Sequence, residues 1–337
     1  MAVGDGGVII TSTNSGQDWQ ALQFPSSIYF TRVNFANGQF FATGRQFGDQ
    51  LGSFEGLLWS SADGVNWVPR YAAENAVVWG VAYGASRYIA IAVDAPSNTA
   101  RALSSFDGTQ WTSTVIPGNG WLYDITFGNG VFVAVGGTRA MRSADGTAWL
   151  AASLPVISTP QAIEFFNGAF VAVGGMGQIL TSSDGAAWTT RSSGTTRFLA
   201  AVAVGHDGVA AAGDNGIILF SPDGIDWTTR FEGGTDLRGL AFGADHYVAV
   251  GRYGSAYLSG PLSACVGSRL AIRFGQPTQI DLFGETGATY LIEFADQPGT
   301  MGWQTLQQVV VSSSPHTVAD PNPSPTGRRF YRALRVP

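Results

Sequence analysis

Five turns of nearly one sequence recur along this chain about every 40 residues: SSADGVNW from residue 60, LSSFDGTQW from 103, RSADGTAW from 142, TSSDGAAW from 181 and FSPDGIDW from 220. Hairpin cassettes lie between them: VNFANGQFFATG from 33, VAYGASRYIAIAV from 81, ITFGNGVFVAVGG from 125, IEFFNGAFVAVGG from 163, the weaker VAVGHDGVAAAGD from 202, and LAFGADHYVAVGR from 240. Each cassette alternates apolar residues, turns at Gly or Asn, and resumes an apolar run, which is how an antiparallel hairpin reads. A third strand precedes each Asp-Gly turn and a fourth follows it. Four short strands per unit at this period predict an all-β chain, a β-propeller of about seven blades. The 45 glycines among 337 residues, without a collagen-like period of three, fit many short strands and tight turns.

The repeat unit resembles the Asp-box, or sialidase-type (BNR), repeat through its Ser, Asp, Gly and Trp, over about residues 1 to 260. It departs from that family in having one residue fewer between Asp and Trp, and in a serine replacing the aspartate at Asn14-Ser15-Gly16. The opening AVGDGGVIITS matches the second and third strands of a unit, and the copy over 238–259 supplies strands one to three, so both ends of the repeat carry partial blades. The propeller is expected over 1–262. From 267 to 337 alternating strands with Gly and Pro turns predict a small Ig-like or fibronectin-like sandwich. That segment resembles a C-terminal module of secreted Verrucomicrobia-type proteins through YLIEF, the stretch around Trp303, ADP and RRFYRA. The resemblance implies export to a secreted or periplasmic location and an accessory role, in which Arg328, Arg329 and Tyr331 are candidates for binding.

The aspartates of the five turns, Asp63, Asp107, Asp145, Asp184 and Asp223, read as structural. Asp and Gly suit a tight turn, and a residue repeated once per blade holds blades together, whereas a catalytic residue is singular. The net charge of -6 and 18 scattered basic residues, all arginine, argue against nucleic acid as a partner. No apolar stretch is long enough to span a bilayer. The single cysteine, Cys265, reads as a buried small hydrophobe. His206, His246 and His316 are not at zinc-ligand spacing, and His246 with Asp245 reads as a solvated turn. A monomer is expected.

Function is sought where the innermost strands depart from their own consensus. At one position the copies read Arg32, Gly80, Asp124, Ala162, Ala201 and Gly239, and two residues later Asn34, Ala82, Thr126, Glu164, Ala203 and Ala241. Arg32, Asp124, Asn34 and Glu164 are exceptions to a small default, and they mark the channel as the candidate site. Asp124, Glu164 and Asn34 are oxygen donors of the kind Ca²⁺ selects. The leading expectation is a metal-assisted hydrolase, a lactonase or esterase acting on a small ester, a signalling acyl-lactone or a sugar lactone. In it Arg32, Asp124 and Glu164 are catalytic, Asp124, Glu164 and Asn34 hold calcium, and Trp79, Tyr123 and Tyr253 bind substrate. The alternatives are a non-catalytic propeller binding carbohydrate or protein, and a glycoside hydrolase-like enzyme using Asp124 and Glu164. A binding surface would draw on Tyr29, Phe30, Trp79, Trp121, Tyr123, Phe198 and Tyr253. Two long loops, from 44 and from 93, are expected to wall the channel mouth over the second and third blades.

Overall fold

The computed structural model describes residues 1–13, 18–50, 52–155, 158–243, 246–259, 269–273, 278–283, 287–295, 304–312, 316–321 and 330–336. Asn14 to Gly16, Asp245, Cys265, Arg328 and Arg329 lie outside the described residues. By packing the chain divides into one unit of Met1–Thr13, Trp19–Phe242 and Ala249–Tyr257, and a second of Asn14–Asp18, Gly243–Val248 and Leu258–Pro337.

The repeat forms seven antiparallel sheets, the blades. Blades 2 to 6 have four strands each, and their innermost strands are Ile28–Ala36, Ala76–Gly84, Asp124–Gly128, Pro160–Phe166 and Leu199–Val204. Blade 1 (Ala2–Gly4, Val8–Thr11, Gln20–Gln23) and blade 7 (Leu237–Gly243, His246–Gly251, Ala256–Leu258) have three strands each. The first two strands of a blade are joined by the turn the sequence specifies: Asn37-Gly38, Asn129-Gly130 and Asn167-Gly168 all have positive φ, as a two-residue hairpin turn requires. Blade 3 makes this turn with Ala85 (φ 46) and Ser86 (φ 59), residues that tolerate it poorly.

The core lies between adjacent blades. Second strands are buried almost completely, as at Val133, Ala134 and Val135, because a blade is covered on both faces. Innermost strands converge so closely that Gly84 and Gly128 have no room for a side chain. A Cβ would lie 2.1 Å from the ring of Phe127 or Phe165, respectively, one blade further on. The second unit contains two three-stranded antiparallel sheets. One has Arg269–Arg273, Thr278–Phe283 and His316–Asp320, and the other Gln304–Val310, Thr289–Ala295 and Phe330–Val336. They share a core of Ile280, Leu282 and Val318 from one sheet with Tyr290, Ile292 and Val309 from the other.

The Asp-Gly turns satisfy themselves. In blade 2, Asp63 Oδ1 accepts the backbone N–H groups of Val65 (2.9 Å) and Asn66 (2.8 Å) and the Ser61 hydroxyl (3.0 Å). Gly64 N–H donates to Ser61 Oγ, and the Trp67 indole N–H donates to the Gly64 carbonyl. The same pattern holds around Asp107, Asp145 and Asp223. These donors stabilise the ionised form, so the carboxyls of Asp63, Asp107, Asp145, Asp184 and Asp223 are all held below the usual range.

Candidate functional site at the channel mouth

An innermost strand is an edge strand, and half of its backbone N–H and C=O groups face the channel without a ladder partner. Register shifts in these strands, between Phe30 and Arg32, Val78 and Val81, Pro160 and Ala162, and Leu199 and Ala201, free further backbone groups. The residues that depart from the small consensus are spent on those groups.

Arg32 reaches across the channel from blade 2. Its Nε donates to the Tyr123 carbonyl of blade 4 at 3.1 Å, one terminal nitrogen donates to the Gln161 carbonyl of blade 5 at 3.0 Å, and the other lies 3.3 Å from Asp124 Oδ2. Asp124 is buried, and both its oxygens are engaged: Oδ1 accepts its neighbour Ile125 N–H and Oδ2 accepts Ile163 N–H of blade 5, each at 3.0 Å. Gly80 of blade 3 leaves the space for it, since a Cβ there would lie 2.5 Å from Asp124 Oδ1. Asn34 does not join this group. Its Oδ1 accepts Val81 N–H of blade 3 at 3.1 Å, and Thr31 Oγ1 in the same strand donates to the Val78 carbonyl at 3.2 Å.

Glu164 is the exception. It lies within electrostatic reach of Asp124 and Arg32, and its carboxyl is pushed up to about 8 by burial and by the charge of Asp124, against the opposing pull of Arg32. Burial likewise pushes Asp124 up, while Arg32 and the two N–H donors pull it down. Arg32, Asp124 and Glu164, three of the four exceptions marked in the sequence, thus lie near one another. Of the expected calcium set, Asn34 Oδ1 and both Asp124 oxygens accept hydrogen bonds, and the Glu164 carboxyl takes one from the Phe165 backbone N–H. Among the described residues no group of three or more His, Cys, Asp or Glu side chains is placed to hold a metal ion.

Aromatic residues neighbour this ion pair along the chain, Trp79 next to Gly80 and Tyr123 next to Asp124. The Trp79 ring packs edge-on against Tyr123 (5.1 Å between centroids) and Trp121 (6.3 Å), and all three side chains are half-buried. Trp79 falls within the register shift of its strand, the kind of irregularity that re-aims a side chain. Trp121 is fixed by its indole N–H, which donates to Asn98 Oδ1 at 2.8 Å, and Asn98 sits at φ 54 in the loop from 93. In blade 2 the loop from 44 is largely strand, and the pair Gln39–Phe47 and Phe54–Ser61 forms a long hairpin. There Arg45 lies over the Phe47 and Phe54 rings, and Tyr29 packs edge-on to Phe47. The sequence did not reveal the locking role of Asn98 or the Arg45 stack. Phe30, expected at the rim, is instead a core residue between blades 1 and 2, because the register shift after it turns it inward. Tyr253 lies in the short turn Arg252–Gly254, with its side chain outside the described residues. His246 is not solvated: its Nδ1 lies 2.8 Å from the Ser259 carbonyl. Toward blades 6 and 7 the rim is ionic, with Arg238 bridging Asp214 (2.7 Å) and Asp236 (3.0 Å).

No protein-family model and no curated protein matches the chain. Among solved structures it is similar to YCF48 from Cyanidioschyzon merolae, with a TM-score of 0.51 and 20% identity over 77% of this chain and 94% of that one. It is also similar to the WD40 beta propeller domain of Doa1, with a TM-score of 0.51 and 12% identity over 75% and 88% of the two chains. Against the computationally designed Ika8 protein the TM-score is 0.50 at 12% identity, over 86% and 89%. At such identities the likeness concerns the fold alone, a seven-bladed β-propeller.

Proposed function

We propose that this protein is a non-catalytic binding propeller whose partner, a protein or peptide, docks on the aromatic side of the channel mouth over blades 2 to 4. One observation carries the reading: Arg32, Asp124 and Asn34 are spent joining blades, while the aromatic residues beside them stay half-buried and pre-packed. Rigid Trp and Tyr side chains that lose little freedom on binding are the usual anchors of protein interfaces. Edge-to-face packing also spends ring faces on neighbouring rings, which suits a protein partner better than the flat stacking a sugar ring needs.

The test is affinity capture with the wild type and with the Trp121→Ala/Tyr123→Ala pair, followed by reconstitution with the purified partner. Reconstituted binding that the pair weakens at least about tenfold, with hydrogen-exchange protection at 121–123, supports the reading. Binding that the pair leaves unchanged refutes it.

A second reading is the metal-assisted hydrolysis of a small ester or lactone through Asp124 and Glu164, with Arg32 on the substrate carbonyl. It draws on Glu164, since a carboxyl raised to about 8 in a cleft is a common mark of acid–base chemistry. Turnover of lactones, esters or aryl glycosides that is lost in Glu164→Gln and on chelation would favour it over the binding reading.

A further inference from the structure

A groove of about 450 Å³ runs along the flank of blade 2, lined by Gln46, Glu55, Leu57, Trp59, Pro69 and Ala72 among others. Its floor is apolar: Leu57 is buried in the core between blades 1 and 2, and Trp59 packs against the same core. Its wall is the outermost strand Val68–Glu74, where Pro69 and Ala72 are exposed. Outermost strands have one backbone edge without a partner, to which an extended segment can add.

One acidic residue, Glu55, lines this groove, and a second, Glu74, stands next to it in the sheet. Glu55 lies directly opposite Glu74 in the strand register, and Gln46 lies opposite Glu55 on the other side, so a row of Gln46, Glu55 and Glu74 shares one face of the sheet. Like charges directly opposite one another across a strand pair are unfavourable. Among the described residues no arginine forms an ion pair with either glutamate. Arg70, which also lines the groove, donates its Nε to Ser60 Oγ at 2.8 Å. An apolar slot beside two carboxylates that form no ion pair among the described residues, on a chain of net charge -6, is complementary to a basic, apolar polypeptide.

We infer that this groove is a second docking site, which takes an extended segment with an aliphatic side chain in the slot and lysine or arginine over Glu55 and Glu74. The inference rests on the binding reading for its class of partner, but on different residues from the channel-mouth cluster.

The experiment is a fluorescence-anisotropy titration of the whole chain with a labelled hexapeptide, Leu-Lys-Val-Lys-Leu-Lys, and with its glutamate counterpart Leu-Glu-Val-Glu-Leu-Glu. Saturable binding of the lysine peptide alone is expected. Glu55→Gln/Glu74→Gln should weaken it at least about tenfold, and so should Ala72→Trp, which fills the groove from an exposed position. Trp121→Ala/Tyr123→Ala should leave this titration unchanged even if it abolishes binding of the reconstituted partner, so the two sites succeed or fail separately. Equal binding of both peptides, no saturable binding, or wild-type affinity in the two groove variants overturns the site.

Discussion

Asp145 and Asp124 are both aspartates on strands or turns of blade 4, yet their surroundings pull their proton affinities in opposite directions. Asp145 lies in a turn repeated in five blades, accepts two backbone N–H groups and two hydroxyls, and is held well below the usual carboxylate range. Asp124 occurs once, is buried between blades, and is pushed up by desolvation against the pull of Arg32. Repetition identifies groups whose bonding is local and complete within a few residues. Singularity identifies groups whose partners lie on other blades, and such a group joins blades before it is available for chemistry.

The sharpest way to break this contrast is to remove each carboxyl. Asp124→Ala strands the Arg32 guanidinium and two inner-strand N–H groups in a buried setting, and should cost about 3–5 kcal/mol in urea unfolding. Asp145→Ala removes exposed turn bonds and should cost about 1 kcal/mol. Equal losses would mean that the two carboxyls differ in location only. Next in size, Gly128→Ala forces a methyl into the Phe165 ring and should cost about 1–3 kcal/mol by thermal unfolding.

Acidity and alkalinity should separate the two regions as well. Glu164 titrates in the folded chain at about 8, above its unfolded value, so the folded state holds the proton more tightly. Stability from this group is present at low pH and is lost as the pH rises from about 4.5 toward 8. Glu164→Gln should match the wild type near pH 5 and exceed it by about 2 kcal/mol near pH 9, a value discounted for partial exposure. The turn aspartates have depressed values, and their contribution is present above the unfolded value and fades as the pH falls. A wild-type stability curve with no alkaline decline, or an unchanged decline in Glu164→Gln, would contradict the placement of Glu164. The smallest effect belongs to the blade 3 turn: Ala85→Asn with Ser86→Gly supplies residues that accept positive φ, and should raise stability by about 1 kcal/mol.

Much of the fold was legible in the sequence because its rules are local. Alternation, Asn-Gly turns and the Asp-Gly-Trp motif act over fewer than ten residues, and each repeat states them again. Arg32, Asp124 and Glu164 were legible as exceptions for a related reason, since each is a large polar side chain at an inner-strand position where most copies are small. Their bonding was not legible. The acceptors of Arg32 are backbone carbonyls of Tyr123 and Gln161, which any residue carries, two and three blades away. Asn34 was grouped with the carboxylates by chemistry, but its position facing Val81 N–H of the neighbouring blade gives its oxygen a nearer use. Phe30 was misplaced because a register shift reverses the face of a strand, and nothing in the alternation of residues marks where the shift falls.

The claim that the singular channel residues hold blades together is tested most directly by a double-mutant cycle of Arg32→Met and Asp124→Asn in urea unfolding. The account predicts that each single variant is destabilised and that the two are coupled by about 1 kcal/mol or more. Two variants as stable as the wild type, with no coupling between them, would contradict it and return Arg32 and Asp124 to the list of residues free for catalysis.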